Sequence, residues 1–239
     1  MQEWVERRRV VVIEHEQGCP LDRFAGWLAG LTVEVVRPYA GDGVPDRVRQ
    51  GLIVLGGQMS AYDDGVAPWL PAVRRLLARS VEDGIPTLGI CLGAQLLAVA
   101  CGGRVDVAAA PGRESGVVDV WWRPGAASDP LVAGLVDPFP GPSMHADAVA
   151  ELPPGSTWLA SSAMYPHQVF RVGVAAWGVQ FHPEVSLTTY GGWAGEHPDV
   201  DTPAVTAEFA RRDADIAAAG RQLAQRFAEL VAVVQVQTA

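Results

Sequence analysis

Cys91 is flanked by glycines at the spacing of a nucleophile that projects from a strand-to-helix turn. Gly89 and Gly93 lie two positions before and two positions after it. Glycines at these positions let the chain turn sharply, so that the side chain between them stands above the edge of a sheet. The positive end of a helix beginning at Leu92 favours the thiolate, the reactive form of cysteine. The alternative is a buried cysteine that packs as a small hydrophobic residue, and the spacing alone does not decide between the two.

His182 and Glu184 are the candidate base and its supporting acid. They lie two residues apart in a strand-like stretch that Pro183 should end or bend. In extended backbone this spacing puts both side chains on the same side. A carboxylate beside an imidazole fixes its tautomer and stabilises the imidazolium, which is its supporting role in cysteine–histidine–acid catalysis. Taken alone, the pair fits a surface ion pair better; together with Cys91 it predicts a catalytic site.

Backbone donors for an oxyanion are expected at a double glycine. Gly56 and Gly57 follow an apolar run that ends at Leu55. Without a Cβ, their N–H groups can approach a substrate closely. With the N–H of Leu92, they are candidates for the two-donor site that acyl transfer needs. A double glycine by itself more often marks only a turn.

The first half of the chain shows the strand–helix alternation of a parallel sheet. Such a sheet is covered by helices on both faces, and its ligands lie at the carboxyl ends of the strands. This places the ends of the third and fourth strands, where the glycine pair and Cys91 lie, at the ligand edge. Strands are predicted at 10–13, 33–36, 52–55 and 87–90, and helices at 22–29, 68–83 and 92–100.

The second half predicts antiparallel strands added to this sheet, followed by helix. Residues 206–234 form a helical stretch, with Gly220 as a candidate interruption. Residues 188–203 are predicted to be a long loop, either an ordered surface excursion or a gate over the substrate. One domain is expected over 1–239. The added strands are predicted at 117–122, 157–161, 168–172 and 175–181.

Composition narrows the class of protein. The 239 residues are 49% hydrophobic and 19% charged, which is typical of a globular chain. A net charge of −9 makes nucleic acid a poor candidate partner. Three cysteines do not form a disulfide framework, so reduced thiols and a cytoplasmic location are expected. His15, His167 and His197 lack a second ligand at metal spacing, and no metal site is predicted.

No membrane or secretory segment is predicted. The start of the chain, MQEWVERRR, lacks an apolar run of secretory length. Residues 84–103 carry no charge, but they contain five glycines and one proline. These breakers favour a buried strand, turn and helix over a membrane span.

Three segments in this order resemble the class-I glutamine amidotransferases of the Cys–His–Glu triad type. They are LGGQMSAYD at 55–63, GICLGAQLLA at 89–98 and GVQFHPEV at 178–185. Shorter similarities occur at GRESG (112–116), MHADAV (144–149) and LASS (159–162). The resemblance covers about residues 10–185 and is closest to GMP synthase-like members described as stand-alone.

The resemblance implies a flavodoxin-like α/β domain that hydrolyses the side-chain amide of glutamine without a cofactor. Cys91 would form a γ-glutamyl thioester, His182 would move protons and Glu184 would orient His182. The backbone N–H of Leu92 would donate a hydrogen bond to the oxyanion. The remaining implied residues are Gly57 for the oxyanion and Gly56, Gln95, His145, Ala146 and Asp147 for the substrate.

The resemblance leaves the use of the ammonia open. Only 55 residues follow Glu184, too few for an ATP-dependent synthetase domain. A free hydrolase acting on a small-molecule substrate, a γ-glutamyl peptidase and a subunit that supplies a separate synthetase all remain possible, as does a homodimer. Ala146, where many relatives have glycine, and Ser115, where many have an aliphatic residue, affect substrate details rather than the chemistry.

Overall fold

The computed structural model describes residues 8–233. Val234, the last residue of the predicted helical stretch, and most of the N-terminal segment used to argue against secretion lie outside these residues. The strands are β1 (Arg9–Ile13), β2 (Thr32–Val36), β3 (Leu52–Val54), β4 (Thr87–Ile90), β5 (Arg104–Asp106), β6 (Glu114–Trp122), β7 (Phe139–His145), β8 (Ala148–Glu151), β9 (Thr157–Ser161), β10 (Val169–Val172) and β11 (Ala176–Val179). The helices are α1 (Phe24–Trp27), α2 (Leu70–Glu82), α3 (Leu92–Ala100), α4 (Leu187–Glu196) and α5 (Thr202–Val233).

Five parallel strands form one side of a nine-stranded sheet, in the order β2-β1-β3-β4-β11. This is the flavodoxin-like order, with β11 in the fifth position, and it confirms the predicted fold class. Because β3, β4 and β11 are parallel neighbours, the segments that follow them meet at one edge of the sheet. Those segments begin with Leu55, Cys91 and Gln180.

The other side of the sheet is antiparallel, as predicted, and continues in the order β10-β9-β6-β7. The predicted strand bounds are correct to within a few residues. Strand β7 was not predicted, because its sequence FPGPSMH holds two prolines, which remove ladder donors. It lies at the end of the sheet, where a strand tolerates proline.

Apolar side chains fill both faces of the sheet, as a sheet covered by helices requires. On one face Val12, Ile53 and Trp177 pack with the buried side of α5. On the other face Leu52 and Val54 pack with α2 and α3. The uncharged stretch 84–103 is β4 with α3. None of the helices between residues 8 and 233 combines the length and apolar character that a bilayer span requires.

The predicted loop at 188–203 is wrong. Residues 187–196 form α4, which Ser186 caps by accepting a hydrogen bond from the Thr189 N–H. Glycines at 191, 192 and 195 disfavour a helix in isolation. Burial of Tyr190 and Trp193 against the domain outweighs that preference.

Gly220 does not interrupt the C-terminal helix, which runs unbroken as α5. A Cβ at this position would lie 2.2 Å from the carbonyl oxygen of Pro183. The glycine therefore serves the close approach of α5 to the segment that carries His182 and Glu184.

Candidate active site

Cys91 occupies a strained turn between β4 and α3. Its φ of 51° and ψ of −107° lie in a region that residues other than glycine rarely adopt, at a cost on the order of 1–3 kcal/mol. A Cβ on Gly89 would lie 2.4 Å from the carbonyl oxygen of Gly93, and one on Gly93 would lie 2.0 Å from that of Val54. Close backbone approach therefore requires both glycines, and the predicted elbow is present.

His182 follows β11 and pairs with Glu184. The backbone N–H of His182 donates to the carbonyl of Pro142 at 2.7 Å, which fixes the segment against β7. Nδ1 of His182 lies 2.8 Å from Oε1 of Glu184, and both side chains are buried. Burial lowers the pKa of His182, but Glu184 and Cys91 raise it by more, to about 10. The imidazole therefore holds a second proton at neutral pH.

The structure brings Cys91 and His182 together across Gly56. A Cβ on Gly56 would lie 2.9 Å from Cε1 of His182 and 3.6 Å from Cβ of Cys91. A side-chain hydrogen bond with Cys91 contributes to the raised pKa of His182. The absence of a side chain at Gly56 therefore lets Cys91 and His182 approach each other, and the role of Gly56 in substrate binding stays a prediction.

Gly57 lies next to the side chain of Leu92, the residue that follows Cys91. A Cβ on Gly57 would come within 3.1 Å of Cδ2 of Leu92 and within 2.7 Å of Sδ of Met59. Within residues 8–233, the N–H groups of Gly57 and Leu92 make no backbone hydrogen bond. Two free N–H groups beside a nucleophile are suited to stabilising an oxyanion.

A cavity of about 190 Å³ opens beside Cys91. It is lined by five residues predicted to bind the substrate or its oxyanion, and Gly56 and Leu92 are not among its lining residues. The amide of Gln95 donates to the Asp147 carbonyl at 3.0 Å, so the helix and the predicted substrate loop are joined. The predicted residues in the lining are Cys91, His182, Gly57, Gln95, His145, Ala146 and Asp147.

Sequence reasoning missed part of the lining. Cys19 faces the cavity and donates from Sγ to Glu16 at 3.1 Å. Burial, followed by the charge of Glu16, raises the pKa of the Cys19 thiol. Gln58, Met59 and Arg113 lie inside the motifs that carry the resemblance, so those motifs held a signal for them. The lining residues outside the predicted site residues are Cys19, Gln58, Met59, Arg113, Met144, Trp193 and His197, of which the last two lie in the segment predicted as a surface loop or gate.

Helix α4 forms one wall of the cavity. Its Trp193 ring packs against His182 at a tilt of 55° with centroids 4.6 Å apart, and its indole N–H donates to the Gly18 carbonyl at 2.8 Å. An ion pair of 2.9 Å joins Arg113 of the lining to Asp199, beyond the helix. The segment predicted as loop or gate is therefore an ordered part of the site.

Among residues 8–233, no cluster of three or more His, Cys, Asp or Glu side chains could hold a metal ion. His15, at the carboxyl end of β1, is fully buried, and its Nδ1 accepts a hydrogen bond from the Trp69 indole at 3.0 Å. Burial lowers the pKa of His15 to about 4, so the ring is neutral.

Comparison with known proteins agrees with this geometry. A family model described as glutamine amidotransferase class-I matches residues 28–193. A glutamine-hydrolyzing GMP synthase of Thermomicrobium roseum is 41% identical over 142 residues, which is 59% of this chain and 24% of that protein. One of Staphylococcus carnosus is 35% identical over 143 residues, 59% of this chain and 25% of that protein. The chain thus spans about a quarter of the length of the curated relatives it matches.

Solved structures match over nearly the whole chain. A glutamine amidotransferase of Thermotoga maritima has a TM-score of 0.82 and 25% identity, covering 93% of this chain and 99% of that one. A glutamine amidotransferase of Methylobacillus flagellatus has a TM-score of 0.82 and 28% identity, covering 97% of each chain. Fold and motifs therefore point to the same family.

Proposed function

The chain belongs to the class-I glutamine amidotransferase family, and on this premise we propose that it hydrolyses the side-chain amide of glutamine or of a related γ-glutamyl compound. The observation that carries the proposal is the buried group of Cys91, His182 and Glu184 at the edge of a cavity. We also propose that residues 1–239 form a single catalytic domain, since one continuous sheet joins both halves of the described chain.

The first half of the reaction forms a thioester. The Cys91 thiolate attacks the amide carbon, and the oxygen of the tetrahedral intermediate accepts from the N–H groups of Gly57 and Leu92. The C–N bond then breaks while His182 gives its proton to the leaving nitrogen, so that ammonia departs. Glu184 holds His182 through Nδ1, which leaves Nε2 for this transfer.

The second half restores the enzyme. His182, now neutral, takes a proton from water as the hydroxide attacks the thioester carbon. Collapse of the second tetrahedral intermediate breaks the C–S bond and releases glutamate, or the corresponding γ-glutamyl acid. The thiolate of Cys91 and the imidazolium of His182 are regenerated, so no cofactor is consumed.

The size of the cavity favours a small substrate. Its volume of about 190 Å³ is below the roughly 300–1,000 Å³ of sites for drug-sized ligands. Polar groups of Gln95 and of His145–Asp147 line the cavity and are suited to the amino and carboxylate groups of an amino acid. Glutamine fits these limits, and a short γ-glutamyl compound fits if its leaving group extends toward the mouth.

The test is product analysis with the purified full chain. We expect release of glutamate and ammonia from glutamine, or hydrolysis of one member of a γ-glutamyl amide and peptide panel. Cys91→Ala should abolish turnover, and a glutamine-analogue electrophile should label Cys91. Cys101→Ala is the matched control, because this thiol lies at the far end of α3 and outside the cavity lining. Absence of turnover across the panel together with absence of labelling would contradict the proposal.

A second candidate function is ammonia supply to a separate ATP-dependent synthetase. It is favoured by the curated relatives, which are GMP synthases about four times the length that this chain matches. A synthetase partner should increase the glutaminase rate of the purified chain when added with ATP and its acceptor. Retention of a synthetase on immobilised chain, with no change in that rate, would count against coupled supply.

A further inference from the structure

We propose that Gln180 is a further catalytic residue, whose side-chain amide donates to the sulfur of Cys91, and that the Glu114–His145 pair positions the Asp147 carbonyl that sets the direction of this donation. The inference rests on the proposed function, because it assigns the sulfur as the reacting atom. None of the roles implied by the sequence resemblance includes Gln180 or Glu114.

The argument begins at Glu114, which lies directly opposite His145 in the antiparallel register of β6 and β7. Nε2 of His145 lies 3.1 Å from Oε2 of Glu114, and Nδ1 lies 2.9 Å from the Asp147 carbonyl oxygen. Through these two contacts the His145 ring ties the Asp147 carbonyl to the Glu114 carboxylate. Burial raises the pKa of Glu114, but hydrogen bonds from His145 and Ser162 outweigh it and hold the carboxylate ionised.

The Asp147 carbonyl, in the loop after β7, determines which way the side-chain amide of Gln95 in α3 is oriented. The Asp147 carbonyl can only accept, so the side chain of Gln95 must present its NH₂ group, at 3.0 Å. The same NH₂ group lies 3.4 Å from the side-chain oxygen of Gln180. Gln95 therefore holds Gln180 by its oxygen, and the NH₂ group of Gln180 is left to face the other way.

That NH₂ group faces the sulfur of Cys91 at 3.7 Å, within hydrogen-bond reach for sulfur. Gln95 and Gln180 are both almost fully buried, so water does not compete for these donors. A hydrogen bond to the charged form of a group lowers its pKa. Gln180 therefore stabilises the thiolate over the thiol, in addition to the helix end and His182.

Arg113, His145, Asp147 and His197 line the cavity that Cys91 borders, and substitutions at Gln180 leave them unchanged. Two further pairs of side chains interact with the sulfur. His182 with Glu184 faces it from the segment after β11. Cys19, bonded to Glu16, faces it from the loop after β1, and that thiol stays protonated because its pKa is raised. Substitutions at Gln180 leave these four side chains unchanged.

The experiment measures the pH dependence of alkylation at Cys91 by iodoacetamide, with the modified peptide quantified by mass spectrometry. Gln180→Met keeps the length of the side chain without a donor, and it should raise the alkylation midpoint by about 1 pH unit. Gln180→Glu should raise it further, because a carboxylate opposes the thiolate. Gln225→Met, on the exposed side of α5, is the control and should leave the midpoint unchanged.

Glu114→Gln tests whether the Glu114–His145 pair positions Gln180, because Glu114 itself does not contact the sulfur. It should shift the midpoint in the same direction by a smaller amount, and Glu114→Asp should restore part of the shift. A merely structural role for Glu114 would lower thermal stability without moving the midpoint.

Unchanged midpoints in Gln180→Met and Gln180→Glu would overturn the inference, and an unchanged midpoint in Glu114→Gln would overturn its positioning part. Alkylation needs no substrate, so the result is independent of turnover. If the midpoints shift while the wild-type chain releases no product from any γ-glutamyl compound, the proposed function fails and the sulfur contact stands. If the wild-type chain hydrolyses glutamine and no midpoint shifts, the proposed function stands and this inference fails.

Discussion

Two buried histidine–glutamate pairs border the same cavity, and they differ in what surrounds them. In His182–Glu184 the partners are two residues apart, whereas in His145–Glu114 they are brought together from adjacent strands. The N···O distances are 2.8 and 3.1 Å, and each imidazole also contacts an aromatic ring. Local geometry therefore does not distinguish a catalytic pair from a positioning pair.

The carboxylates distinguish the pairs. Glu114 accepts hydrogen bonds from Ser143, Ser162 and Gln168 besides His145. Glu184 has the histidine on one oxygen, and its other oxygen has no hydrogen-bond partner among residues 8–233. A carboxylate with four donors holds a structure in place, whereas one with a single donor directs its charge to that donor.

The two pairs also differ at the imidazole nitrogen that does not contact the glutamate. For His182 it is free to meet Cys91 and a leaving group, while for His145 it is bound to the Asp147 carbonyl. One ring nitrogen of His182 is therefore available for proton transfer, whereas both ring nitrogens of His145 are held in hydrogen bonds. Substitutions in matched pairs test this reading.

The largest expected effect is at the two histidines. His182→Gln should lower kcat/KM by roughly 10⁴-fold or more, because it removes the group that moves protons. His145→Gln should lower it by about 10- to 100-fold, mainly through KM, because the substrate loop loses its anchor. Steady-state kinetics on the substrate found active in the panel provides the measurement. Equal losses in kcat at both positions would remove the distinction between the pairs.

The next effect is at the carboxylates. Glu184→Gln should lower kcat on the order of 10²- to 10⁴-fold, because the neutral amide no longer fixes the tautomer or balances the imidazolium. Glu114→Gln should lower kcat by about 10-fold, since three other donors still hold its side chain. Single-turnover rates separate chemistry from product release. A larger loss at Glu114 than at Glu184 would reverse our assignment of the two pairs.

The free energy of unfolding should depend on pH in opposite directions for the two pairs: the contribution of His182 is lost at high pH and that of Glu114 at low pH. The pKa of His182 is raised from 6.5 to about 10, so its contribution is fully present below pH 6.5 and is lost as pH rises toward 10. The pKa of Glu114 is depressed below 4.5, so its contribution is present above pH 4.5 and is lost as pH falls through its folded value. Proton uptake on folding has opposite signs for the two groups.

Thermal unfolding across pH checks this difference. The Tm gap between wild type and His182→Gln should narrow from pH 6.5 to 10, and the gap for Glu114→Gln should narrow below pH 4.5. Gaps that stay constant with pH would show that neither group changes its pKa on folding.

The smallest expected effect is at the start of α4, the helix that packs Trp193 on His182 and has no counterpart at His145. Ser186→Ala removes the N-cap and the hydrogen bond from Ser186 Oγ to Asp22, so it should cost about 1 kcal/mol in unfolding free energy. Chemical denaturation provides the value. We expect KM to change less than twofold, and Ser60→Ala, in the loop after β3, serves as a comparison outside this helix.

The sequence was most informative where chemistry and local geometry coincide. The glycines around Cys91, the spacing of His182 and Glu184, and the alternation of strands and helices each act over a few residues. Short-range patterns therefore predicted the elbow, the parallel sheet and the side chains that meet at its edge. Strand bounds shifted by a few residues because pairing partners, rather than propensity, end a strand.

The failures share a different cause. Helix α4 has a poor helical sequence and forms because Tyr190 and Trp193 are buried, while β7 contains prolines and survives at the end of the sheet. Gly220 continues a helix because Pro183 passes close by. In each case a contact made in the folded chain overrode a local preference.

The amino-acid sequence by itself determined the glycine-flanked turn at Cys91, the spacing of His182 and Glu184, and the strands whose ends bring these three residues together. Those features depend on residue type and on spacing along the chain. The tertiary structure alone decided that Glu114 faces His145 and that Gln180 turns its NH₂ group toward Cys91. The first contact depends on the register of β6 and β7, and the second depends on a series of hydrogen bonds between distant segments. Neither the register nor this series can be read from a short stretch of sequence.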